Sequence, residues 1–405
     1  MKSDLPKVLH EICAKPMVNY VVDAAKSLSP KKIVVVLGHK RAQVREALDK
    51  GVRVCRQDKP LGTADAVKAA RPEIPSSVRD VIVLYGDTPL IREETLRSLY
   101  DFHRDKDVSC TVLSTFLNNP RGYGRILRSE TGQFIGIVED RDATFQQKSI
   151  REVNTGIYCF KRDDLLEALE HVTVKNEAGE FYLTDVFAWL FKKNRKIEAC
   201  VADDYREVLG VNSRAEFAEA SVLLRQRILE KYMEAGVHIM DGATTFIDAS
   251  AQIGPGTKIF PFTFIEKDVV IGRDCSIGPF CHLRFGTVLK DKVAVGNFAE
   301  IKNSTLGEGA IARHVTYIGD TQIGKKVNIG AGMVIANYDG KRKYKTTIKD
   351  KAFLGCDAVL VAPVVIGKNA VVGAGCVVTK NHNVPDGATV VGIPAREIKK
   401  SKTKR

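Results

Sequence analysis

Apolar residues recur at every sixth position over most of the second half of the chain, between Ile253 and Val378. A period of six fits neither an isolated α-helix, which repeats every 3.6 residues, nor a half-buried strand, which repeats every two. It fits a coil of short parallel strands, in which each hexad forms one face of a prism and its apolar residue points inward. The predicted inward positions are Ile253, Ile259, Ile265, Ile271, Ile277, Leu283, Leu289, Val295 and Ile301, then Ile311, Tyr317, Ile323, Ile329 and Ile335, and finally Ile348, Leu354, Leu360, Ile366, Val372 and Val378.

Two interruptions of this pattern mark the places where the coil is expected to bind ligands. The pattern is irregular between Glu300 and Tyr317. The step from Ile335 to Ile348 is 13 residues instead of 12, which predicts an excluded loop over residues 336–346. Loops that leave a rigid scaffold are frequent binding sites.

His314 lies in the first interruption and is a candidate general base. A positioned imidazole takes a proton from an attacking amine and typically accelerates a reaction by about 10²–10⁴-fold. A lone histidine is more often a surface or structural residue, and that interpretation stays open. Arg284, Lys302, Tyr317 and Asn337 favour the catalytic interpretation, because together they would clamp a phosphorylated substrate.

The first half of the chain alternates apolar runs with amphipathic stretches. Residues 32–38 and 80–87 are predicted as buried strands, and residues 18–28 and 93–102 as helices. Such alternation predicts an α/β layer on a mostly parallel sheet, whose ligands bind beyond the carboxyl ends of the strands. Asp87 ends one of these strands and is placed to hold a metal ion through oxygen. A loop aspartate that caps the next turn is an equally open interpretation.

Other polar residues of the first half stand at turns and strand ends. The pair Gly62-Thr63 begins a helix, and a helix N-terminus with small residues suits a phosphate or a base edge. Further candidates in this kind of position are Gln57, Gly124, Glu139, Asn154 and Asn212. A turn or a helix cap explains each residue singly, so only their combination indicates a binding site.

A long helical pattern from Ser213 to Ala235, closed by Gly236, joins the two halves. The predicted organisation is therefore a first domain over residues 1–212, a linker helix over 213–236, a coil over 237–395 and a basic tail over 396–405. The tail holds six Lys or Arg and one acidic residue. It is interpreted either as a solvated chain end or as a phosphate contact.

The composition is that of a soluble protein with a formal net charge of +13. Nucleic-acid binding is not expected, because the excess charge outside the tail is spread thinly and basic and aromatic residues do not interleave. The nine cysteines show no CxxC pair and no Cys/His metal spacing, which predicts reduced thiols in the cytoplasm. The start resembles no signal peptide and no run of 18 apolar residues occurs, so no membrane partner is expected.

Several short motifs occur in the order found in one known family. They are Ser3-Asp4-Leu5-Pro6-Lys7, Leu61-Gly62-Thr63-Ala64, Tyr85-Gly86-Asp87, Gly122-Tyr123-Gly124-Arg125, Val153-Asn154-Thr155-Gly156, Gly210-Val211-Asn212, Glu300-Ile301-Lys302, His314-Val315-Thr316-Tyr317 and Asn337-Tyr338-Asp339-Gly340. Over nearly the whole chain they resemble the bacterial bifunctional N-acetylglucosamine-1-phosphate uridyltransferase/glucosamine-1-phosphate acetyltransferase. The resemblance implies an α/β nucleotidyltransferase (Rossmann-like) domain followed by a left-handed parallel β-helix of hexapeptide repeats.

For the first domain, the resemblance implies a uridyltransferase site that uses Mg²⁺ and takes UTP as co-substrate. By this resemblance, Asp87 and Asn212 hold Mg²⁺. The residues that it implies for binding UTP or the sugar phosphate are Lys7, Gln57, Gly62, Thr63, Tyr85, Gly86, Gly124, Glu139 and Asn154.

For the coil, the resemblance implies an acetyltransferase site that takes acetyl-CoA as co-substrate. His314 would be the general base that frees the amine of glucosamine-1-phosphate. The residues implied for binding this sugar are Arg284, Lys302, Tyr317, Asn328 and Lys345, and those implied for acetyl-CoA are Asn337, Tyr338, Cys356, Ala374 and Arg396. Family members associate as homotrimers through the coil and make UDP-N-acetylglucosamine for cell-envelope precursors such as peptidoglycan.

The sequence departs from the family pattern at both ends. The family begins with a strand and a glycine-rich loop, whereas here Met1 stands where that loop ends. We expect either a true start upstream of Met1 or a form that keeps acetyl transfer alone. Cys356 replaces the usual serine, and Arg396 or a tail lysine is expected to meet the 3′-phosphate of coenzyme A. A non-catalytic assembly or regulatory subunit is the third interpretation, against which His314 and its basic neighbours argue.

Overall fold

The structure is a computed structural model that describes residues 3–38, 40–59, 61–173 and 179–398. The chain divides into two compact units, of which the first extends to Ala220 and the second begins at Ser221. The division lies inside one helix, Arg214–Glu234. The lysines of the basic tail lie at positions 399–404, outside the described residues, so their expected phosphate contact stays a prediction.

The first unit alternates strands and helices as the sequence pattern predicts. Its strands are β1 (Glu11–Ile12), β2 (Lys15–Pro16), β3 (Val34–Leu37), β4 (Arg53–Arg56), β5 (Asp80–Val83), β6 (Cys110–Phe116), β7 (Arg125–Arg128), β8 (Phe134–Val138), β9 (Glu152–Lys161) and β10 (Ile197–Val201). The helices are α1 (Met17–Ser27), α2 (Arg41–Ala47), α3 (Thr63–Ala70), α4 (Glu93–Lys106), α5 (Phe145–Lys148), α6 (Arg162–Leu169), α7 (Val186–Lys192) and α8 (Arg214–Glu234). Short 3₁₀-helical turns are Lys7–Leu9, Arg71–Glu73, Leu183–Asp185 and Tyr205–Val208.

The main sheet of the first unit is organised around β9, and the expectation of a mostly parallel sheet is wrong. β9 is antiparallel to β6 along one edge, and to β5 and then β7 along the other. β8 is antiparallel to β7, whereas β10 joins β6 in parallel. The connection from β8 to β9 contains the four-residue helix α5.

Helices cover both faces of this sheet. Along β6, Val112 faces a core that contains Leu165 of α6, while the next residue, Leu113, faces a second core that contains Leu96 of α4. This alternation is the ordinary consequence of strand geometry, in which successive side chains point to opposite faces. β3 and β4 form a separate parallel pair.

The second unit is a coil of short strands with three faces, and the strands stack in parallel within each face. The first face contains His238–Ile239, Lys258–Ile259, Ser276–Ile277, Ala294–Val295, Ile311–Ala312, Asn328–Ile329, Phe353–Leu354, Val371–Val372 and Thr389–Val391, which the antiparallel strand Arg396–Glu397 closes. The second face contains Phe246–Ile247, Phe264–Ile265, His282–Leu283, Ala299–Lys302, Thr316–Gly319, Val334–Ala336, Val359–Val361 and Val377–Val378. The third face contains Gln252–Ile253, Val270–Ile271, Val288–Leu289, Thr305–Leu306, Thr321–Ile323, Thr346–Ile348 and Val364–Ile366.

The inward column agrees with the six-residue pattern except at two positions, Ile311 and Tyr317, where the prediction is wrong. The buried residues there are Leu306, Ala312 and Ile318, whereas Ile311 and Tyr317 are only half-buried. The cause is two five-residue steps, one from Ile301 to Leu306 and one from Ile318 to Ile323, each of which shifts the pattern by one residue in the same direction. The predicted positions keep the register of Ile323, so they lie one residue before the buried Ala312 and Ile318. Tyr317 is thereby freed from the core and becomes available for a ligand.

The loop that the 13-residue step predicts is present between the strands Val334–Ala336 and Thr346–Ile348. We call residues 337–345 the coil loop. It folds back on itself, because the Tyr344 backbone N–H donates to the Asn337 carbonyl oxygen at 2.8 Å and Tyr338 pairs with Lys343 in an antiparallel bridge.

In the described part of the chain, no helix is both long enough and apolar enough to cross a membrane.

The corrected register predicts different costs for two isoleucines of the coil. Ile318→Ala empties a fully buried position and should lower the free energy of unfolding by about 2–5 kcal/mol. Ile311→Ala removes the same atoms from a half-buried position and should cost about 1 kcal/mol or less. Thermal unfolding of the two variants, followed by far-ultraviolet circular dichroism, distinguishes the positions. Equal effects, or a larger effect at Ile311, would contradict this register.

Candidate active sites

The first group of polar side chains in the first unit consists of Lys7, Asp87 and Asn212. The Lys7 ammonium forms an ion pair with the Asp87 carboxylate and donates a hydrogen bond to Asn212 Oδ1 at 2.5 Å. The Val211 backbone N–H donates to the Asp87 carbonyl oxygen at 2.8 Å, which fixes the start of α8 against the segment that follows β5. Asp87 and Asn212, which are far apart in sequence, therefore present their oxygens to one cation, the Lys7 ammonium.

A second group is formed by Gly124, Glu139 and Asn154. The Asn154 backbone N–H donates to the Gly124 carbonyl oxygen at 2.8 Å. A methyl group added at Gly124 would lie 3.3 Å from Glu139 Oε2 and 3.5 Å from Asn154 Cβ, so glycine leaves the space that these two side chains face. Three predicted residues therefore converge around one small opening.

The polar atoms around this opening are held by neighbours that the sequence did not identify. Asn154 Nδ2 donates to the Tyr158 hydroxyl at 2.7 Å, and the Thr184 hydroxyl donates to Glu139 Oε1 at 3.2 Å. Burial raises the pKa of Glu139, although the hydrogen bond from Thr184 opposes that shift. The sequence pattern did not identify Tyr158 and Thr184 as site residues. Tyr158 lies in the buried strand β9, and Thr184 lies in the 3₁₀-helical turn Leu183–Asp185.

The start of α3 is positioned from two sides. Gln57 Nε2 donates to the Gly62 carbonyl oxygen at 3.1 Å and to Asp65 Oδ2 at 2.9 Å. On the other side, the Thr63 hydroxyl accepts from the Leu183 backbone N–H at 2.9 Å. The predicted residues Gln57, Gly62 and Thr63 are thus close together at a helix N-terminus, which is a favourable place for an anion or a polar base edge.

Tyr85 connects this helix start with the Asp87 segment. Burial raises the pKa of Tyr85 to about 12, and a hydrogen bond with Thr63 acts in the opposite direction. The phenol is therefore a neutral hydrogen-bonding group at any physiological pH. Gly86 follows Tyr85 in a turn that is closed by the Thr88 hydroxyl, which donates to the Tyr85 carbonyl oxygen at 2.8 Å.

In the second unit, a cluster of cationic side chains lies on the second face of the coil. The Arg284 guanidinium donates to Glu300 Oε1 at 2.8 Å, and the Lys302 ammonium lies 4.9 Å from the centre of the Phe285 ring. Burial lowers the pKa of Lys302, and the positive charges of Lys343 and Arg284 lower it further. A lysine whose charge is opposed in this way by neighbouring cations favours the binding of an anion such as a phosphate.

Lys343 is a residue that the sequence analysis missed in favour of Lys345. Both lie in the coil loop, but Lys343 is the one whose charge and hydrogen bond act on Lys302. Lys345 is exposed at the end of the loop, and Asn328 is half-buried on the first face. Lys343 pairs with Tyr338 in an antiparallel bridge. A single sequence does not reveal such a bridge, so it could not distinguish Lys343 from Lys345.

Tyr317 and Asn337 meet over Gly319. A methyl group added at Gly319 would lie 2.6 Å from Asn337 Nδ2 and 2.7 Å from the Tyr317 hydroxyl. Asn337 Nδ2 also donates to Asp320 Oδ2 at 2.6 Å, and Asn303 Nδ2 donates to the other oxygen of the same carboxylate at 2.6 Å. Asp320 therefore orients the Asn337 amide.

His314 is exposed in the short segment between the strands Ile311–Ala312 and Thr316–Gly319. The segment is anchored directly after the histidine, because the Gly332 backbone N–H donates to the Val315 carbonyl oxygen at 2.8 Å. The imidazole is thus presented to solvent from a backbone that is fixed on both sides. An exposed imidazole on a fixed backbone is accessible to a substrate.

Cys356 and Ala374 are exposed at the same corner of successive turns of the coil. The Gly375 backbone N–H donates to the Cys356 carbonyl oxygen at 2.8 Å, which sets the two residues one above the other. Tyr338 is exposed in the coil loop, and its hydroxyl donates to the Gly340 carbonyl oxygen at 2.7 Å. Arg396 is exposed in the last strand of the first face.

Within the described ranges, no cluster of three or more histidine, cysteine or carboxylate side chains is arranged to hold a metal ion. A divalent cation at Asp87 would therefore depend on Asn212 and on oxygens of a substrate. Mg²⁺ is commonly bound in this manner, through one or two carboxylates and substrate phosphates.

The fold, together with the polar side chains collected in each unit, defines a two-domain transferase. An α/β nucleotidyltransferase unit is followed by a hexapeptide coil of the acyltransferase type. Comparison with protein families agrees with this class. The MobA-like NTP transferase domain matches residues 1–179, the GMPPB C-terminal domain matches residues 242–339, and the six-repeat bacterial transferase hexapeptide matches residues 345–380.

Curated relatives match almost the entire chain. The bifunctional protein GlmU of Desulfitobacterium hafniense (strain DSM 10664 / DCB-2) is 45% identical over 94% of this chain and 91% of its own. The GlmU proteins of Heliobacterium modesticaldum and Clostridioides difficile are 42% and 39% identical, over 99% and 98% of this chain and 94% of each relative. A solved UDP-glucose pyrophosphorylase complexed with UDP-glucose is 16% identical, with a TM-score of 0.46, over 55% of this chain and 91% of that chain.

The chain belongs to the GlmU family of bifunctional proteins. The predicted family, the predicted fold class and the predicted class of bifunctional transferase are therefore confirmed. The roles of individual residues stay predictions.

The burial of the cysteines predicts a single dominant site of thiol modification. Cys356 is exposed, whereas Cys110, Cys159, Cys275, Cys281 and Cys376 are buried. Burial raises the pKa of Cys281 to about 12, so this thiol is neither accessible nor ionised at neutral pH. Brief alkylation of the folded protein, followed by peptide mass spectrometry, should label Cys356 first.

The variant Cys356→Ser is the control for this labelling, because it should lose most of the fast reaction while the protein stays folded. After unfolding in denaturant, the five buried cysteines should become reactive as well. Fast labelling of Cys281 or Cys110 in the folded protein would contradict the burial described here.

Proposed function

We propose that the chain catalyses two consecutive reactions in the synthesis of UDP-N-acetylglucosamine. The coil transfers the acetyl group of acetyl-CoA to the amine of glucosamine-1-phosphate. The first unit then transfers the uridylyl group of UTP to the N-acetylglucosamine-1-phosphate that results. The observation that supports this proposal best is the presence of two separate groups of ligand-binding side chains, one in each unit, in a chain of the GlmU family.

For acetyl transfer, we assign His314 as the general base. The amine of the sugar attacks the thioester carbonyl carbon, His314 takes the proton that the nitrogen loses, and the carbon–sulfur bond breaks. Coenzyme A leaves as a thiolate and takes up a proton. Exposure on a fixed backbone allows the imidazole to reach a bound substrate, and the contribution expected from such a base is about 10²–10⁴-fold.

The cationic cluster of the coil would bind the phosphate of the sugar. Arg284 and Lys302 are the predicted ligands, and Lys343 joins them because its charge acts on Lys302. Tyr317 and Asn337 lie beside this cluster and would contact the sugar and the acetyl group. We keep Asn328 and Lys345 as further sugar ligands, and Tyr338, Cys356, Ala374 and Arg396 as the acetyl-CoA ligands.

For uridylyl transfer, a phosphate oxygen of the sugar attacks the α-phosphate of UTP, and pyrophosphate leaves. Lys7 would neutralise the nucleotide phosphates, and Gln57, Gly62 and Thr63 would face the uracil at the start of α3. Gly124, Glu139 and Asn154 would hold the sugar, with Tyr85 and Gly86 beside them. Positioning of this kind accounts for most of the catalysis in such transfers, since the protein itself contributes no covalent chemistry.

The residues at Asp87 fit a Mg²⁺ ion. Asp87 and Asn212 supply one carboxylate and one amide oxygen, and the contacts of both with the ammonium of Lys7 support their assignment to a cation. When bound there with substrate phosphates, Mg²⁺ would reduce the negative charge that develops on them.

We further propose that the chain forms a homotrimer through the coil and acts in the cytoplasm on small-molecule substrates. The support for assembly is a column of exposed aromatic side chains on the coil. The rings of Phe262, Phe280 and Phe298 stack with centroid distances of 4.6 Å and 5.4 Å. All nine cysteines are free thiols in the structure, which agrees with a reducing compartment.

The two reactions should be separable by mutation. His314→Ala should lower the acetylation of glucosamine-1-phosphate by about 10²–10⁴-fold and leave uridylyl transfer unchanged. Asp87→Asn should abolish UTP-dependent release of pyrophosphate from N-acetylglucosamine-1-phosphate and leave acetylation unchanged. Thiol release from acetyl-CoA and pyrophosphate release measure the two reactions independently.

His238→Ala is the matched control, because His238 is an exposed histidine in the first strand of the same coil. Its two activities should equal those of the wild type. Unchanged acetylation in His314→Ala, or loss of acetylation in Asp87→Asn, would contradict the assigned roles. Wild-type protein that acetylates without releasing pyrophosphate would favour acetyl transfer as the single activity.

The aromatic column should be required for assembly. Phe280→Asp places a charge in the middle of the column and should convert the trimer into smaller species in sedimentation velocity experiments. Phe353→Asp is the matched control, because Phe353 has nearly the same exposure (48% against 46%) but lies on the first face. A trimer that survives Phe280→Asp, or a monomeric wild type, would contradict the proposed interface.

A further inference from the structure

The coil loop is held at its tip by a lysine from a later turn of the coil. Lys380 follows the strand Val377–Val378 on the second face, two turns beyond the strand Val334–Ala336 from which the loop leaves. Its ammonium lies 4.2 Å from the centre of the Tyr344 ring and 3.8 Å from Asp339 Oδ2. One side chain therefore contacts both arms of the loop.

Asp339 is bound from within the loop as well. Its Oδ1 accepts from the backbone N–H groups of Lys341 and Arg342, both at 3.0 Å. These contacts lower the pKa of Asp339 to about 2, and the largest cause is the hydrogen bond from the backbone N–H of Arg342. A hydrogen bond with Tyr344, the N–H of Lys341 and the charge of Lys380 lower this pKa further. The carboxylate is therefore charged in any ordinary assay, and its attraction to Lys380 does not depend on pH there.

The loop needs such a contact because its own charges oppose its position. It carries Lys341, Arg342, Lys343 and Lys345 against one acidic residue, Asp339. Lys343 stands close enough to Lys302 for each positive charge to oppose the other. Without a bound phosphate, repulsion favours movement of the loop away from the coil.

The same loop carries groups for both substrates. Asn337 at its base is oriented by Asp320, and Lys343 on its other arm faces Lys302. The hydrogen bond between Tyr344 and Asn337 joins the two arms, so that a constraint at the tip reaches both groups.

We propose that Lys380 is a positioning residue for acetyl transfer: it holds the coil loop on the coil through Tyr344 and Asp339, so that Lys343 and Asn337 are in place before the substrates bind. The proposal rests on the acetyl transfer assigned above to this site. Lys380 itself acts through the loop and is not assigned a contact with substrate.

The variant Lys380→Ala should raise the KM for glucosamine-1-phosphate about three- to tenfold, which is the range expected for an exposed cation–π contact combined with an exposed ion pair. The kcat should change by less than about twofold, because a saturating substrate restores the competent loop position. Lys380→Arg keeps the charge beside the ring and the carboxylate, and it should restore the KM.

Limited proteolysis gives a readout that does not depend on activity. Trypsin cleaves after lysine and arginine, and the loop exposes Lys341, Arg342, Lys343 and Lys345. Cleavage within residues 341–345 of Lys380→Ala should accelerate by a factor similar to the rise in KM, because cleavage of a transiently open segment follows the population of its open form. The midpoint of thermal unfolding should not change.

Lys349→Ala is the matched control, because it removes an exposed lysine that pairs with Asp386 at 3.2 Å in the same coil. It should leave KM and cleavage at wild-type values. An unchanged KM or an unchanged cleavage rate in Lys380→Ala, or failure of Lys380→Arg to restore them, would overturn the proposal. Wild-type protein without acetyl transfer would instead contradict the function assigned to the site, and the cleavage rates would still decide whether Lys380 holds the loop.

Discussion

The feature on which the rest of the second unit depends is the inward column of aliphatic side chains. Each strand of the coil is only two to four residues long, so no single strand is stable, and stacking of one turn on the next supplies the core. The stacking is close: a methyl group added at Gly355 would lie 2.5 Å from the Ala374 backbone nitrogen. Once the inward residues are fixed, the direction of every outward residue is fixed too, including those of the proposed acetyl-transfer site.

This constraint explains why the two units arrange their proposed sites differently. The first unit collects its polar residues from strand ends and helix starts, and their charges balance one another, as in the pair of Lys7 and Asp87. The coil offers no helix N-terminus, so its cations stand on one face without a full set of counter-charges. Lys302 shows the imbalance directly, since burial and neighbouring cations lower its pKa. The first site is thus prepared for a metal ion together with phosphates, and the second for a phosphate alone.

Much of this could be read from the sequence, because apolar periodicity reports burial. The position of the coil loop agrees with the pattern. Ile311 and Tyr317 were misassigned because counting back from Ile323 in steps of six overlooks the five-residue step from Ile318 to Ile323, and residues that resemble core residues stand at the false positions. The antiparallel course of β9 was missed because alternation of strands and helices does not encode strand direction. Asp320 was missed because its role comes from the lateral neighbours Asn303 and Asn337, which only a folded coil brings together.

The coil loop shows how the rigid coil and the charged substrates depend on each other. A loop with four cations and one carboxylate gains little by packing, so its position must come from specific contacts at a few points. The contact of Lys380 with Tyr344 supplies one such point without adding a negative charge near the phosphate site, because an aromatic ring attracts a cation through its quadrupole. A carboxylate in that place would compete with the substrate for Lys343 and Lys302. Asp339 instead pairs with Lys380, so its carboxylate holds the loop through a cation that lies outside the proposed phosphate site.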